Sequence, residues 1–525
     1  MRTPMLRALS AVLLLTMALA LAGCGSRGPE FSIVSGSENT VIEPIVQEFC
    51  AQKGATCSFK YEGSLDIGLA LQSSAGVEQD AVWPAASVWV DMFDTSRRVK
   101  TLTSIAQTPV ILGVRKSKAE QLGWVGKDVK MDDILAAVNN GSLKFLMTSA
   151  TQSNSGASAY LAMLSSAIGE DAVIKPGDLD DPKVQDTVKA LLAGVERSSG
   201  SSGWLADLYV DAASKGTVYD AMWNYEAVLK ETNDRLVPLN QEPLYAIYPA
   251  DGVAVADSPL GFVDHGRGAD VESFFNELVA FLQSAPIQQR IADTGRRIPL
   301  GGATAKPEPN WNFDPTRLLT AIRLPEPAVI RQALDLYQAA LRKPSLTALC
   351  LDFSGSMQGD GEQQLQQAMQ FLFSPERTSE VLVQWSPADR IVVIPFDGTT
   401  RDAYRGTGAA TDQGTLLSEV SNQSADGGTD MYACANAALK EIEKTPNLAT
   451  YLPAIVIMTD GRSDGDSAGF MAQWNAVSPR VPVFGITFGD AEKSQLDTLA
   501  TQTSARVFDG AADLAGAFRA ARGYN

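Results

Sequence analysis

Five oxygen-bearing side chains occupy three separated places in the second half of this 525-residue chain: Asp352, Ser354, Ser356, Thr429 and Asp460. The first three follow an apolar run, 346–351, that predicts a buried strand, and Asp460 ends a second such run, 454–459. Hydroxyl and carboxylate oxygens suit a hard divalent cation, because Mg²⁺ takes oxygen ligands and commonly keeps some of its waters. These residue types at strand ends therefore predict a cation site.

The pattern Asp-x-Ser-x-Ser at 352–356, followed by a distant Thr and a distant Thr-Asp-Gly, resembles the metal-ion-dependent adhesion site of von Willebrand factor A domains. The resemblance covers about residues 345–520 and implies that Ser354 and Ser356 bind Mg²⁺, Mn²⁺ or Ca²⁺ through their hydroxyls. Thr429 would add a third hydroxyl, and Asp352 and Asp460 would act directly or through waters. One coordination position then remains for an Asp or Glu carboxylate of a partner protein. The alternative is a turn whose serines cap the next helix.

Strands and helices alternate around these five residues. Strands are predicted at 346–351, 391–396, 454–459 and 481–488, with helices near 362–373, 432–444, 468–476 and 494–503. This alternation predicts a doubly wound, mostly parallel α/β sheet of Rossmann-like type, with the cation at the carboxyl edge of the strands.

Polar loops also follow the predicted strands of the first half of the chain. The candidate ligand-binding residues there are Ser35, Ser37, Ser64, Ser153, Ser155 and Tyr225. Hydroxyls, free main-chain amides and the dipole at a helix N-terminus attract negative charge without a basic side chain. Ser, Gly and Asn are also the ordinary residues of caps and turns, which is the alternative.

The loops at 35–37, 61–64, 151–156 and 224–226 resemble those of type 2 periplasmic solute-binding proteins, near the molybdate and sulfate-type branch. The resemblance implies a two-lobed α/β domain that encloses a small solute, with an oxyanion as one candidate. The runs 108–114 and 244–250 are predicted to be the outgoing and return crossings between the lobes.

The first 23 residues predict a lipoprotein signal peptide, since Arg2 and Arg7 precede an apolar run, 8–23, that is short for a spanning helix. The run ends in Leu-Ala-Gly-Cys, which resembles a bacterial lipobox and implies cleavage before Cys24 and diacylation of its thiol. An ordinary secretory signal with an incidental cysteine is the alternative. Two lipid signals would anchor the protein to the cell membrane on its extracytoplasmic face.

Proline and glycine divide the remainder into two bodies. A solute-binding-like domain is expected at 24–300, a Pro/Gly-rich linker with a connecting helix at 301–344, and the domain with the cation site at 345–525.

Composition excludes several function classes. With 61 acidic and 43 basic residues, the formal net charge of -18 argues against nucleic acid as a partner. The single histidine, His265, rules out a multi-histidine metal site, and no nucleotide-binding Gly-rich motif is found. An enzyme is therefore not expected.

The cysteines other than Cys24 fall into two pairs. Cys50 and Cys57 flank a short turn, and in an oxidising compartment they are expected to form a local disulfide, with two buried thiols as the alternative. Cys350 and Cys434 could also pair, but they are expected to be buried, unpaired thiols.

These features favour a membrane-anchored extracytoplasmic binding protein with two modules. One would bind a small solute, and the other would dock a protein through a divalent cation. The alternative is the solute receptor of an ABC-type transporter, with the second module as an accessory.

Overall fold

The computed structural model describes residues 29–169, 172–299, 302–460, 462–478, 480–488, 491–511 and 514–523. The predicted signal peptide and Cys24 lie outside the described residues. No helix in the described ranges is long and apolar enough to cross a membrane.

The first half of the chain forms two α/β lobes, each built on its own sheet. Its strands are β1 (Glu30–Gly36), β2 (Thr56–Glu62), β3 (Ala81–Trp83), β4 (Val99–Ser104), β5 (Thr108–Arg115), β6 (Phe145–Leu146), β7 (Val195–Arg197), β8 (Ala221–Tyr225), β9 (Leu244–Ile247), β10 (Val255–Ala256) and β11 (Pro259–Val263). In the first lobe the strand order is β2-β1-β3-β11-β4, and in the second it is β10-β5-β8-β6-β7, with β9 paired to β5. The chain leaves the first sheet between β4 and β5 and returns between β10 and β11.

Helices cover both sheets of this half. They are α1 (Glu43–Gln52), α2 (Ser64–Gln72), α3 (Val88–Phe93), α4 (Lys116–Gln121), α5 (Met131–Asn139), α6 (Asn154–Ile168), α7 (Pro176–Leu179), α8 (Pro182–Leu192), α9 (Ser202–Ser214), α10 (Glu226–Leu236), α11 (Ala269–Leu282) and α12 (Ala285–Asp293). Because α1 and α2 each follow a strand of the first lobe, the polar turns between strand and helix gather at one edge of its sheet.

The predicted linker packs against the second lobe. Ala305 and Phe313 are buried, and Asn312 Nδ2 donates to the carbonyl of Ala246 at 2.7 Å. The connecting helix α13 (Pro327–Leu336) continues as a π-helical turn, Tyr337–Leu341. Its apolar face packs in the core of the second lobe, so the linker and this lobe form one folded body.

The second half is a single sheet with helices on both faces, as its alternating pattern predicted. Its strands are β12 (Ser345–Asp352), β13 (Arg390–Phe396), β14 (Tyr404–Thr407), β15 (Leu452–Thr459), β16 (Val483–Thr487) and β17 (Val507–Asp509), in the order β14-β13-β12-β15-β16-β17. Its helices are α14 (Asp360–Leu372), α15 (Pro375–Glu380), α16 (Ala410–Ser421), α17 (Met431–Glu443), α18 (Ser467–Ala476), α19 (Ser494–Gln502) and α20 (Leu514–Gly523). The antiparallel edge strand β14 and the helices α15, α16 and α20 were not anticipated.

Both faces of β12 are buried. Leu349 and Leu351 pack on one side with α14, and the alternate residues Ala348 and Cys350 pack on the other side with α17. This two-sided burial explains why the strand is an unbroken apolar run rather than an alternating one.

Both cysteine pairs are disulfides. Cys50 joins Cys57 between α1 and β2, with their Cα atoms 6.1 Å apart. The expectation of free thiols at Cys350 and Cys434 was wrong: α17 crosses the face of β12 that carries Cys350, which brings the two Cα atoms to 5.9 Å, and the cysteines are bonded. With 84 residues between the two cysteines, the sequence left this pairing only as the less favoured alternative.

Candidate functional site

The predicted cation residues lie where the order of the parallel strands reverses. Strands β12 and β15 are parallel neighbours, with Leu351 opposite Met458, and β13 lies on the other side of β12. The loops after β12 and β15 therefore begin side by side at the carboxyl edge of the sheet, the usual ligand position in open α/β folds.

Four of the five predicted residues form one hydrogen-bonded network. The hydroxyls of Ser354 and Ser356 are 3.1 Å apart, and Ser356 Oγ donates to Asp460 Oδ1 at 3.0 Å. The carboxylate of Asp352 accepts the amide of Ser354 at 2.8 Å and the hydroxyl of Thr459 at 2.5 Å. Thr459 was not anticipated as a member of this network, although it directly precedes Asp460 in the sequence.

The loop that carries Thr429 docks onto the same place through its main chain. The amide of Gly355 donates to the carbonyl of Gly427 at 3.0 Å, and the half-buried Thr429 accepts the amide of Asp464 through its carbonyl at 3.1 Å. Gly427 has φ +83°, and a Cβ on Gly355 would meet the carbonyl of Gly427, so both glycines permit this close approach. Asp430, the residue after Thr429, caps α17 by accepting the amide of Ala433 at 2.9 Å.

The donor set fits a hard cation. Asp352 is fully buried, and burial raises the pKa of its carboxyl, while hydrogen bonds from Ser354 and Thr459 oppose that rise and Asp460 adds to it. Within the described ranges no three His, Cys, Asp or Glu side chains are grouped as metal ligands, so a cation here depends on the hydroxyls as well as the carboxylates. The donors that meet here are all oxygens, as Mg²⁺ prefers. Ser356 is exposed, which leaves the site open to an outside ligand.

The six candidate solute residues of the first domain are all buried. Ser35, Ser37 and Ser64 belong to the first lobe, and Ser153, Ser155 and Tyr225 belong to the second. Ser37 reaches across to the other lobe, where its hydroxyl contacts that of Ser201 and accepts the amide of Gly203 at 2.9 Å.

The other candidates bond within their own lobes. Ser64 Oγ accepts the amide of Ala85 at 2.9 Å, and Ser35 Oγ accepts from the Asn39 side chain at 3.1 Å. In the second lobe, the hydroxyls of Ser153 and Ser155 contact each other at 3.3 Å.

The side chain of Asn154 in the second lobe makes two further hydrogen bonds, one of which reaches the first lobe. Asn154 Nδ2 donates to the Tyr225 hydroxyl at 3.0 Å, and its Oδ1 accepts from Trp89 Nε1 of the first lobe at 2.7 Å. The structure thus shows the two lobes in direct contact.

A buried carboxylate also faces the second lobe. Glu38 is 7% exposed; its Oε2 accepts the hydroxyl of Ser202 at 3.2 Å, and its Oε1 has no hydrogen-bond partner among the described residues. Burial raises the pKa of this carboxyl to about 7, against the opposing effects of hydrogen bonds and of Arg296. Glu38 directly follows the candidate residue Ser37 in the sequence, so it could have been considered with it. The serine- and glycine-rich run 198–203 could likewise have indicated the opposing surface.

Comparison with known proteins matches both halves of the chain. The family model for the bacterial extracellular solute-binding protein matches residues 32–297, and that for the von Willebrand factor type A domain matches residues 348–517. The comparison with curated proteins finds no match.

Several solved structures are similar to parts of the chain. The periplasmic binding protein P5PA is 16% identical, covers 57% of this chain and 94% of its own, and has a TM-score of 0.43. The sulfate-binding protein SubI from Mycobacterium tuberculosis H37Rv is 16% identical over 52% of this chain and 88% of its own, with a TM-score of 0.39. A von Willebrand factor type A protein from Catenulispora acidiphila is 14% identical over 33% of this chain and 39% of its own, with a TM-score of 0.27.

Proposed function

The chain belongs to the bacterial extracellular solute-binding protein family and carries a von Willebrand factor type A domain, and on that premise we propose a two-module extracytoplasmic binding protein. The type A domain docks a protein carboxylate through a divalent cation, and the two-lobed domain takes a small polar solute. Both kinds of domain are typically binding modules, so no catalytic role is proposed. Cys24 anchors the protein to the cell membrane by lipid.

The observation that carries the docking proposal is the network of Ser354, Ser356, Asp352 and Asp460 at the exposed sheet edge. A bound Mg²⁺, Mn²⁺ or Ca²⁺ would supply a positive centre for an Asp or Glu carboxylate of the partner. The chain's own part is to hold these oxygens together: the buried Asp352 fixes the first loop by accepting its amide, and Ser356 ties that loop to Asp460.

Docking can be tested with immobilised peptides that carry a single Asp, each paired with the same peptide carrying Asn. We expect the full chain to bind a subset of the Asp peptides in Mg²⁺, and to lose them in EDTA or on the Ser356→Ala substitution. Ser421→Ala is the matched control, because Ser421 is an exposed serine of α16 whose hydroxyl donates to the Leu417 carbonyl of its own helix. Binding that survives EDTA, or that does not distinguish Asp from Asn, would contradict docking through a cation.

The solute proposal can be tested by a thermal-shift screen of oxyanions, sugars, amino acids and short peptides. A ligand that binds only the native state raises the melting temperature by mass action. A shift that Ser37→Ala abolishes is the expected result. Shifts with a sugar and none with any oxyanion would rule out the oxyanion while leaving a solute site in place.

The anchor can be tested with Cys24→Ser, which is expected to release the protein from membranes or to block its processing. A variant that is processed and retained like the native protein would contradict lipidation at this residue.

A further inference from the structure

The last helix of the type A domain, α20, contacts both lobes of the solute-binding domain through Arg519. One face of this helix lies in the core of its own domain, where Phe518 and Ala521 are buried with Phe353. Arg519 lies next to Phe518 but leaves that core, and it is only 5% exposed because the two-lobed domain covers it.

The guanidinium of Arg519 bonds to both lobes at once. Its Nε forms an ion pair with Asp66 at the start of α2 in the first lobe, and its Nη2 donates to the carbonyl of Thr151 in the second lobe at 2.5 Å. Its Nη1 donates to the carbonyl of Val381 in its own domain. The side chain therefore joins three separate parts of the fold.

The neighbouring contacts hold the helix against the same point. The side-chain amide of Gln152 donates to the carbonyl of Arg519, and a side chain at Gly523 would overlap the Gln152 carboxamide. The carbonyl of Gln152 also accepts the amide of Leu65 from the first lobe at 3.1 Å. Arg519 thus lies beside a main-chain hydrogen bond that itself connects the lobes.

We propose that Arg519 is a positioning residue of the solute cleft that is supplied by the other domain, and that it holds the lobes closed. Asp66 and Thr151 belong to different lobes, so Arg519 cannot follow both when the lobes part. Opening would separate the buried guanidinium of Arg519 from a charged or carbonyl partner, and losing a charge-assisted hydrogen bond costs more than losing a neutral contact. The proposal rests on the proposed function only for the identification of the cleft.

Two consequences follow for the solute. Entry requires Arg519 to release at least one lobe, so opening of the cleft and loss of one of its two inter-lobe contacts are one event. By thermodynamic linkage, any condition that favours the open lobes weakens the contact of Arg519 with the lobe that it releases to the same extent. The type A domain therefore sets the fraction of molecules that can admit a solute.

Hydrogen–deuterium exchange of the full chain without added solute can test this. The amides of Leu65 and Gly203 report on the closed state, because each bonds to the opposite lobe. In Arg519→Ala we expect both to exchange about tenfold faster or more, the size expected for losing a charge-assisted hydrogen bond. Arg405→Ala is the matched control: Arg405 pairs with Glu441 inside the type A domain at 2.7 Å, and its loss should leave both amides unchanged.

Two further variants keep the test decisive if Arg519→Ala does not fold. Arg519→Lys keeps the positive charge but loses the planar guanidinium that donates to three acceptors. The exchange rate of the Leu65 amide should therefore rise, but less than in the alanine variant. Exchanging the charges, as Asp66→Arg with Arg519→Asp, should restore part of the protection that Asp66→Arg alone removes. Native exchange rates at both amides in Arg519→Lys and in Asp66→Asn would overturn the proposal. Because no solute is added, a negative result in this exchange experiment is distinct from a failure to identify a solute in the thermal-shift screen.

Discussion

The two domains place their candidate site residues in opposite ways. In the type A domain the hydroxyls and carboxylates meet at an open sheet edge, where Ser356 is exposed. In the two-lobed domain all six candidates are buried, and they bond to each other or to their neighbours. The loops of a single sheet assemble the cation site within one domain. A solute site between two lobes, by contrast, is accessible to a solute only when the lobes separate.

The largest expected contrast between the domains concerns their disulfides. Cys350 and Cys434 are separated by 84 residues, and Cys50 and Cys57 by seven. In the chain-entropy model, replacing the first pair by alanine should lower the free energy of unfolding by about 4.5 kcal/mol, and the second by about 2.5 kcal/mol. Denaturant unfolding of the two double variants measures both values. A larger loss for the short loop would contradict the loop-length argument.

Asp389 offers the next contrast, since it is a fully buried carboxylate of the type A domain with favourable partners. Burial opposes its ionisation, but Arg342 and then Arg522 outweigh that effect and hold its pKa below the usual range. Its contribution is therefore present above the pKa of the unfolded chain and is lost as the pH falls through the folded value. Asp389→Asn should cost about 3–5 kcal/mol near neutral pH, because two arginines lose their counter-charge. The unfolding free energy across acid pH measures this, and a variant as stable as the native protein would contradict it.

Glu38 of the two-lobed domain should show the opposite dependence on pH. Burial raises its pKa from 4.5 to about 7, so between these values the folded protein holds a proton that the unfolded chain has released. Stability should therefore fall as the pH rises through this window, by roughly 3 kcal/mol in total. Glu38→Gln should remove the slope and keep the contact with Ser202. Unfolding at about pH 5 and pH 8 measures the difference, and an unchanged slope in the variant would show that another group is responsible.

Much of both folds could be predicted from the sequence. The buried strands β12 and β15 were visible as unbroken apolar runs, and the polar turns after β1 and β2 were visible as the loops at 35–37 and 61–64. Edge strand β14 was missed because it is only four residues long and half-exposed, so it has no apolar signature.

The contacts between distant segments could not be predicted in this way. The bond between Cys350 and Cys434, the contact of Ser37 with Gly203, and the ion pair of Arg519 with Asp66 depend on how elements pack. No local pattern of residue types records that packing. The four predicted members of the network at the sheet edge could be anticipated because parallel strands bring their loops together by topology alone.

The smallest expected effect on stability is that of Thr429→Ala. Thr429 is half-buried and anchors its loop through the main chain, which the substitution leaves in place. We expect a change in unfolding free energy of less than about 0.5 kcal/mol, together with weaker Mg²⁺ binding because one proposed hydroxyl ligand is lost. A large loss of stability with native Mg²⁺ binding would assign the residue to folding instead.

Calorimetric titration of Mg²⁺ into the full chain and into Asp352→Ala tests the central claim of a cation site most directly. The native protein should bind one cation at the edge formed by β12 and β15, and the variant should show no binding heat from that site. Asp426→Ala is the matched control, because Asp426 is an exposed carboxylate on the neighbouring loop whose side chain accepts the amide of Gly427. Loss of binding in Asp352→Ala alone is the predicted result. Equal Mg²⁺ affinity in the native protein and in Asp352→Ala would contradict it and would make this network a structural one.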